Sequence, residues 1–202
     1  MEKSTDHLQV RFLGATGSVT GSKFLLTYRG NKILLDCGLF QGLKELRVRN
    51  WAPLPLDISS LRAVVLTHAH IDHSGYLPKL VKMGFRGDVF ATAGSCDLLR
   101  LLLPDSAHLQ EEEARYANRR GYSKHKPALP LYTVDDANQA LGLLRPINYA
   151  QEVELAKGFS FRFFRTGHIL GAAAIRIGCE IGGAKKCLVD SGDLGRYGRP
   201  IL

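Results

Sequence analysis

At 202 residues, with 45% hydrophobic and 23% charged side chains, the chain can bury a substantial core and is most simply one domain. It has no run of about 18 apolar residues, which excludes a membrane-spanning helix. Its polar start, Met1-Glu2-Lys3-Ser4-Thr5-Asp6-His7, does not read as a secretory signal, so the cytoplasm is the expected compartment. The net charge of +8 favours anionic partners, of which the phosphate backbone is the commonest, although charge alone does not name RNA.

In chain order, Leu8 to Leu13 reads as a first strand, followed by a glycine-rich stretch from Gly14 to Lys23. A phosphate-binding loop needs G-x-x-x-x-G-K-[ST], and here Ser22 follows Gly21. Tight-turn glycines explain the stretch, with approach of its backbone to a metal site or a phosphate as the functional alternative. The apolar run Ile33-Leu34-Leu35 ends at Asp36, Cys37 and Gly38, and Ala63-Val64-Val65-Leu66 ends at Thr67-His68-Ala69-His70-Ile71-Asp72-His73. Ser74 to Gly84 predicts a short helix with Pro78 in its first turn and Gly84 as its stop. Asp97 to Leu103 predicts an apolar helix that Pro104 should end or kink. Ala107 to Arg120 is a second helical stretch, acidic early and basic late, and Thr133 with Asp136 forms a capping box for the next. Phe161-Arg162-Phe163-Phe164 runs into Thr166-Gly167-His168, and Cys187-Leu188-Val189-Asp190 into Ser191-Gly192-Asp193. This alternation predicts an α/β layered fold. Cys37, Cys96, Cys179 and Cys187 show no C-x-x-C spacing and are expected as free, buried thiols.

Three of the seven histidines fall within six residues, at His68, His70 and His73, together with Asp72. Imidazole and carboxylate donors suit Zn²⁺ and similar cations. His68 and His70 are two apart, so at the extended end of a strand both rings can point to one side. Asp72 and His73 follow where the chain must turn, and two ligand pairs leaving one corner in different directions suit two adjacent ions. Asp36, His168 and Asp193 occupy the same context, a polar group beside a glycine at a strand end, where sites form in layered sheets.

These motifs resemble the metallo-β-lactamase superfamily, whose signature H-x-H-x-D-H is met by His68 to His73. Asp36, His168 and Asp193 stand at its first, third and fourth motifs. Phe12-Leu13-Gly14-Ala15, Gly167-His168-Ile169-Leu170-Gly171-Ala172 and Ser191-Gly192-Asp193-Leu194-Gly195-Arg196 are similar to its RNA-processing β-CASP branch, and the resemblance covers nearly all of residues 8–202. It implies part of an αββα sandwich and two zinc sites. His68, His70 and His168 would hold one ion and Asp72 and His73 the other, with Asp193 bridging them and Asp36 orienting ligands and water. The implied reaction is two-metal hydrolysis of RNA phosphodiesters, with Asp72, Asp193 and Asp36 as the catalytic carboxylates.

In that branch a β-CASP cap and the rest of the lactamase-like domain follow the fourth motif, whereas this chain stops at Leu202. Residues 1–202 are therefore expected to be the lactamase-like N-terminal portion, binding one metal well and a second weakly and hydrolysing RNA poorly alone. An uncovered apolar sheet face is expected to drive self-association or completion by a partner chain. The densest basic group, Arg115, Arg119, Arg120, Lys124 and Lys126, is the candidate substrate-binding surface, or else a solvated helix face beside Glu111-Glu112-Glu113. A small-molecule hydrolase acting on a thioester or lactam, and a non-catalytic module, are the alternatives.

Overall fold

Strict alternation of side chains along the first strands sorts the chain into layers. In a computed structural model, which describes residues 7–196 and 198, β1 (Leu8–Phe12), β2 (Phe24–Tyr28), β3 (Asn31–Leu35), β4 (Leu61–Val65), β5 (Asp88–Thr92) and β6 (Leu144–Ile147) form a sheet in that order. β1 to β3 pair antiparallel and β3 to β6 parallel. Ile33, Leu35, Ala63 and Val65 face one side of this sheet, and Leu34 and Val64 face the other. Strands buried on both faces must be apolar throughout, which is why these segments read as unbroken hydrophobic runs.

On the Leu34 side lie α3 (Leu77–Lys82), α4 (Ala93–Arg120) and α5 (Val134–Gly142), whose Leu80, Leu99, Leu103 and Ala137 enter that core. Two shorter helices, α1 (Lys44–Val48) and α2 (Ile71–Ser74), sit in the connections. On the other side packs an antiparallel sheet of β7 (Val153–Ala156), β8 (Phe159–Arg165), β9 (Ala173–Ile181) and β10 (Ala184–Asp190), in the order β10-β9-β8-β7. Phe159, Phe161, Phe163, Ile175 and Ile177 fill the space between the sheets. The described residues thus supply helix, sheet and sheet of the expected αββα sandwich. None of their helices is long and apolar enough to cross a membrane.

Four expectations need correction. Pro104 does not end its helix, which runs unbroken from Ala93 to Arg120. Proline removes one helical hydrogen bond, but Leu99 and Leu103 before it and Ala107 after it are all buried in the same core and hold the helix on course. The segment after the histidine cluster is two short helices rather than one, Ile71–Ser74 and Leu77–Lys82. Cys187 is exposed because β10 is a sheet edge, whereas Cys37, Cys96 and Cys179 are free and buried as expected. The outer face of the second sheet is not broadly apolar either. Ser160, Arg162, Arg176 and Glu180 point outward between the buried residues of β8 and β9, and the exposed apolar side chains there, Phe164 and Val189, lie near strand ends.

Candidate metal centre

The polar residues at the strand ends meet at one corner of the fold. Beyond β3, Asp36 takes a φ of +55°, which Asp tolerates better than most residues because its short side chain can hydrogen-bond locally. Its carboxylate lies under the loop that follows β4. Oδ1 accepts from the Thr67 amide at 2.8 Å, and Oδ2 accepts from Ser22 Oγ at 3.0 Å and from His73 Nδ1 at 2.7 Å. Thr67 Oγ1 donates to Asp36 at 3.0 Å and lies 3.0 Å from His68 Nδ1. With the Thr67 proton committed to Asp36, the oxygen accepts from His68. Both histidines therefore spend their Nδ1 protons inward, which leaves each Nε2 with a lone pair on the open side.

On that side, His68 Nε2 lies 3.0 Å from His70 Nδ1, which lies 3.2 Å from His168 Nε2. Asp193 Oδ2 is 3.2 Å from His168 Nε2 and 3.7 Å from His68 Nε2. These four residues each offer a donor atom, all within 4.8 Å of one another. Four ligands about 2.0–2.1 Å from a tetrahedral zinc stand roughly 3.3–3.4 Å apart, and the observed spacings bracket that value. The second oxygen of Asp193, Oδ1, is 3.5 Å from His73 Nε2, whose other carboxylate neighbour is Asp72 Oδ2 at 3.9 Å. Asp193 therefore turns one oxygen toward each group. The donor set can hold a metal ion.

Electrostatics favour the metal-ready form. Burial pulls His68 down to about 2, with the imidazoles of His73, His70 and His168 adding to the effect. His70 is also lowered, by burial and then by His168. Neutral imidazoles are the form that ligates. His73 moves the other way. Burial opposes its charge, but the hydrogen bond and charge of Asp36, with Asp72 and Asp193, outweigh burial and hold it above its ordinary value.

Asp72 and His73 sit on the short α2, and the loops around them hold the other groups in place. Ala173 N donates to Thr67 O at 2.9 Å, tying the second sheet to the histidine loop, and Gly195 N donates to Thr166 O at 3.0 Å, tying the Asp193 loop to the His168 loop. Beside His168 opens a cavity of about 320 Å³ lined by Gly167, Leu194, Gly195 and Arg196. Sequence reasoning missed Ser22 and Thr67 as partners of Asp36. It also missed Asp190, whose carboxyl is pushed up to about 6 by burial and the charge of Asp36 and whose Oδ2 has no hydrogen-bond partner among the described residues. Its place at the end of β10, just before Asp193, was the signal that could have found it.

The basic group does not join this site. Ser95, in the first turn of α4, donates to Gly171 O near His168. Arg115 lies twenty residues further along that helix, about 30 Å at 1.5 Å per residue. Arg119 and Arg120 lie near the same end, each guanidinium 5.6 Å from the Tyr116 ring, and Arg115 pairs with Glu112. Lys124 and Lys126 are exposed in the loop beyond, which Asn118 ties back to the helix through Ala128.

A two-sheet sandwich with an imidazole and carboxylate cluster at its strand ends defines a lactamase-like fold. The chain belongs to the β-lactamase superfamily domain family, which it matches over residues 31–197. It is 38% identical over 189 residues to ribonuclease TTHA0252 of Thermus thermophilus, covering 94% of this chain and 38% of that protein. Over 194 residues it is 31% identical to transcription termination factor FttA of Cenarchaeum symbiosum, covering 94% of this chain and 27% of the relative. Over 196 residues it is 30% identical to cleavage and polyadenylation specificity factor 73 of Drosophila melanogaster, covering 96% of this chain and 26% of the relative. The chain thus spans between about a quarter and two fifths of the length of these relatives, which belong to the RNA-processing branch of the superfamily. Among solved structures, a metallo-β-lactamase of Cronobacter sakazakii superposes with a TM-score of 0.55 at 22% identity, over 96% of this chain and 63% of that one. The lactamase BJP-1 of Bradyrhizobium japonicum gives 0.54 at 17%, over 94% and 60%. At these identities the likeness shows the fold alone.

Proposed function

We propose that this chain is the metal-holding part of a metal-dependent ribonuclease. The observation that carries the proposal is the convergence of His68, His70, His168 and Asp193, donor atoms within 4.8 Å of one another, in a chain whose curated relatives include a ribonuclease and a cleavage and polyadenylation factor. Three imidazoles and a carboxylate suit zinc. His68, His70 and His168 would hold one ion, and Asp72 and His73 a second, with Asp193 between them because its two oxygens face the two groups. Bound there, a pair of cations would lower the pKa of water and offset the charge that grows on a phosphate.

The chain's own residues do the rest. Asp36 holds the His73 ring by its Nδ1 proton, and Thr67 holds His68 in the same way, so neither ring can rotate away from the site. Asp72, with its carboxylate beside His73 Nε2, is placed to accept a proton from an attacking water. The cavity beside His168 offers the scissile phosphate a seat near Arg196. The charge of +8 supports an anionic substrate, and four free cysteines support a reducing compartment such as the cytoplasm.

The test is zinc content after exhaustive dialysis, together with cleavage of end-labelled single-stranded RNA with and without chelator, beside a chromogenic lactam and a thioester under matched zinc. The reading requires retained metal that His70→Ala loses, and RNA cleavage or binding that exceeds any action on the small substrates. Metal-dependent turnover of lactam or thioester with no RNA interaction would overturn it.

A further inference from the structure

A second cavity, of about 300 Å³, lies behind the loop that anchors Asp36. The hydroxyl of Ser22 hydrogen-bonds Asp36, but the next side chain, Lys23, lies elsewhere. Its ammonium donates to the Gly38 carbonyl and stands 4.7 Å from the Phe40 ring centroid and 4.9 Å from that of Tyr76. Lys23 is 1% exposed, and that carbonyl is the one hydrogen-bond acceptor of its Nζ among the described residues. An ammonium has three donors, and burying a cation without a carboxylate partner is costly.

Arg49 adds positive charge near Lys23, which the buried Asp36 offsets only in part. The Arg49 guanidinium sits 4.3 Å from the same Phe40 ring, so the two cations are no more than about 9 Å apart. Arg11 lines the same cavity, and no aspartate or glutamate does. Arg11 donates through one nitrogen to the Pro55 carbonyl, which holds the side chain against the cavity wall and spends only part of a five-donor fork. Three cations and no acid in one concavity call for an anion of more than one charge. The remaining wall is apolar and aromatic, with Phe12, Leu13, Leu54 and Tyr76, which suits an anion carried on a flat organic body. Arginine pairs, aromatic faces and a cavity of this size together fit a nucleotide.

We propose that this cavity binds the phosphate of a nucleotide between the exposed Arg11 and Arg49, over the buried charge of Lys23, with the nucleoside against Phe12. The site stands on its own cations and goes beyond the reading of the metal centre. It would bind whether or not RNA is cleaved at the metal centre, and its occupant is either the 5′-phosphorylated end of an RNA strand or a free nucleotide.

The experiment is equilibrium dialysis of the intact chain in chelator, so that the metal centre does not compete, with uridine 5′-monophosphate, uridine and a 5′-phosphorylated oligouridylate as probes. Emission of Trp51 is a second readout, since it is the chain's one tryptophan and shares a helical turn with Arg49 and Asn50 of the cavity wall. Saturable binding of the monophosphate, absent for uridine and weakened by salt, is expected. Arg49→Ala and Arg11→Ala should each weaken it about tenfold. Both side chains are exposed, so these variants should keep the parent's far-ultraviolet dichroism, whereas Lys23→Met changes a buried group and serves only as a third variant. Tighter binding of the oligonucleotide assigns the cavity to an RNA strand, and equal binding assigns it to a free nucleotide. Binding that is equal for uridine and its monophosphate, or unchanged in both folded arginine variants, would overturn the proposal. Loss of RNA cleavage with nucleotide binding intact would instead count against the metal-centre reading alone.

Discussion

Asp36 accepts the Nδ1 proton of His73 at 2.7 Å, and the same carboxylate binds the Thr67 amide and hydroxyl and the Ser22 hydroxyl. It is fully buried and does not belong to the group of converging donor atoms formed by His68, His70, His168 and Asp193. On the proposed reading, Asp36 orients a ligand rather than ligating. Asp36→Ala should weaken zinc binding about 10–100-fold, the usual cost of losing such an outer partner. His70→Ala should cost more, because it removes a donor. Zinc titrations against a competing chelator decide this, and equal losses would make Asp36 a ligand.

The part of this site that was legible in the sequence is the part that is local. His68, His70, Asp72 and His73 announce themselves because strand geometry and a turn bring them together within six residues. His168 and Asp193 lie about a hundred residues away and were readable only through their repeated strand-end context and the family signature. Ser22 and Thr67 could not be read, because a hydroxyl's partner depends on which loops the sheet brings into contact. Where the basic run from Arg115 to Lys126 lies relative to the cluster was not legible either, for the same reason. It is dense in sequence, yet it lies at and just beyond the far end of a 28-residue helix. Pro104 misled because the buried stripe on either side of it outweighed a local rule.

The approach of the Gly38 loop to the histidine loop is a contact no side chain can enter. Gly38 N donates to Ser22 O and Ser22 N to Asp72 O, both at 2.9 Å, and a Cβ on Gly38 would stand 1.6 Å from the Asp72 carbonyl oxygen. The obstacle is backbone, so it cannot swing aside. Gly38→Ala should destabilise the fold by about 3 kcal/mol or more and should disturb Asp72 and His73 even where the chain still folds. Denaturant unfolding and zinc titration of the same variant measure the two effects.

Stability should depend on pH through Lys23 and Cys37. Burial, with Arg49 adding to it and Cys37 and Asp36 opposing, lowers the Lys23 ammonium from 10.5 to about 8. Between those values the unfolded chain holds a proton that the folded chain has released, so stability rises with pH. Burial pushes the Cys37 thiol from 9.0 up to about 12. Above 9.0 the unfolded chain loses a proton that the folded chain keeps, and the gain is cancelled. Free of metal and of phosphate, the chain should therefore gain about 1 kcal/mol between pH 8 and pH 9 and then level off. Lys23→Met should abolish the rise. A parent midpoint that is flat over that interval would show that the ammonium is not desolvated as described.

The length of α4 from Ser95 to Arg115, about 30 Å, sets two groups of basic side chains apart. Arg196 lines the cavity beside His168, whereas Arg119 and Arg120 crown a helix end whose far turn is tied to the His168 loop. An oligonucleotide too short to bridge that distance can touch only one of them while its phosphate sits at the metal centre. Arg196→Ala should weaken binding of such a short single strand and reduce the slope of log K against log salt by about 0.7, the share of one phosphate contact. The double variant Arg119→Ala with Arg120→Ala should leave the slope and the affinity for the short strand unchanged, and should matter only for strands long enough to reach the tip. Short-strand binding that fails in the double variant and survives in Arg196→Ala would place the substrate along α4 and separate the basic surface of this chain from its imidazole cluster.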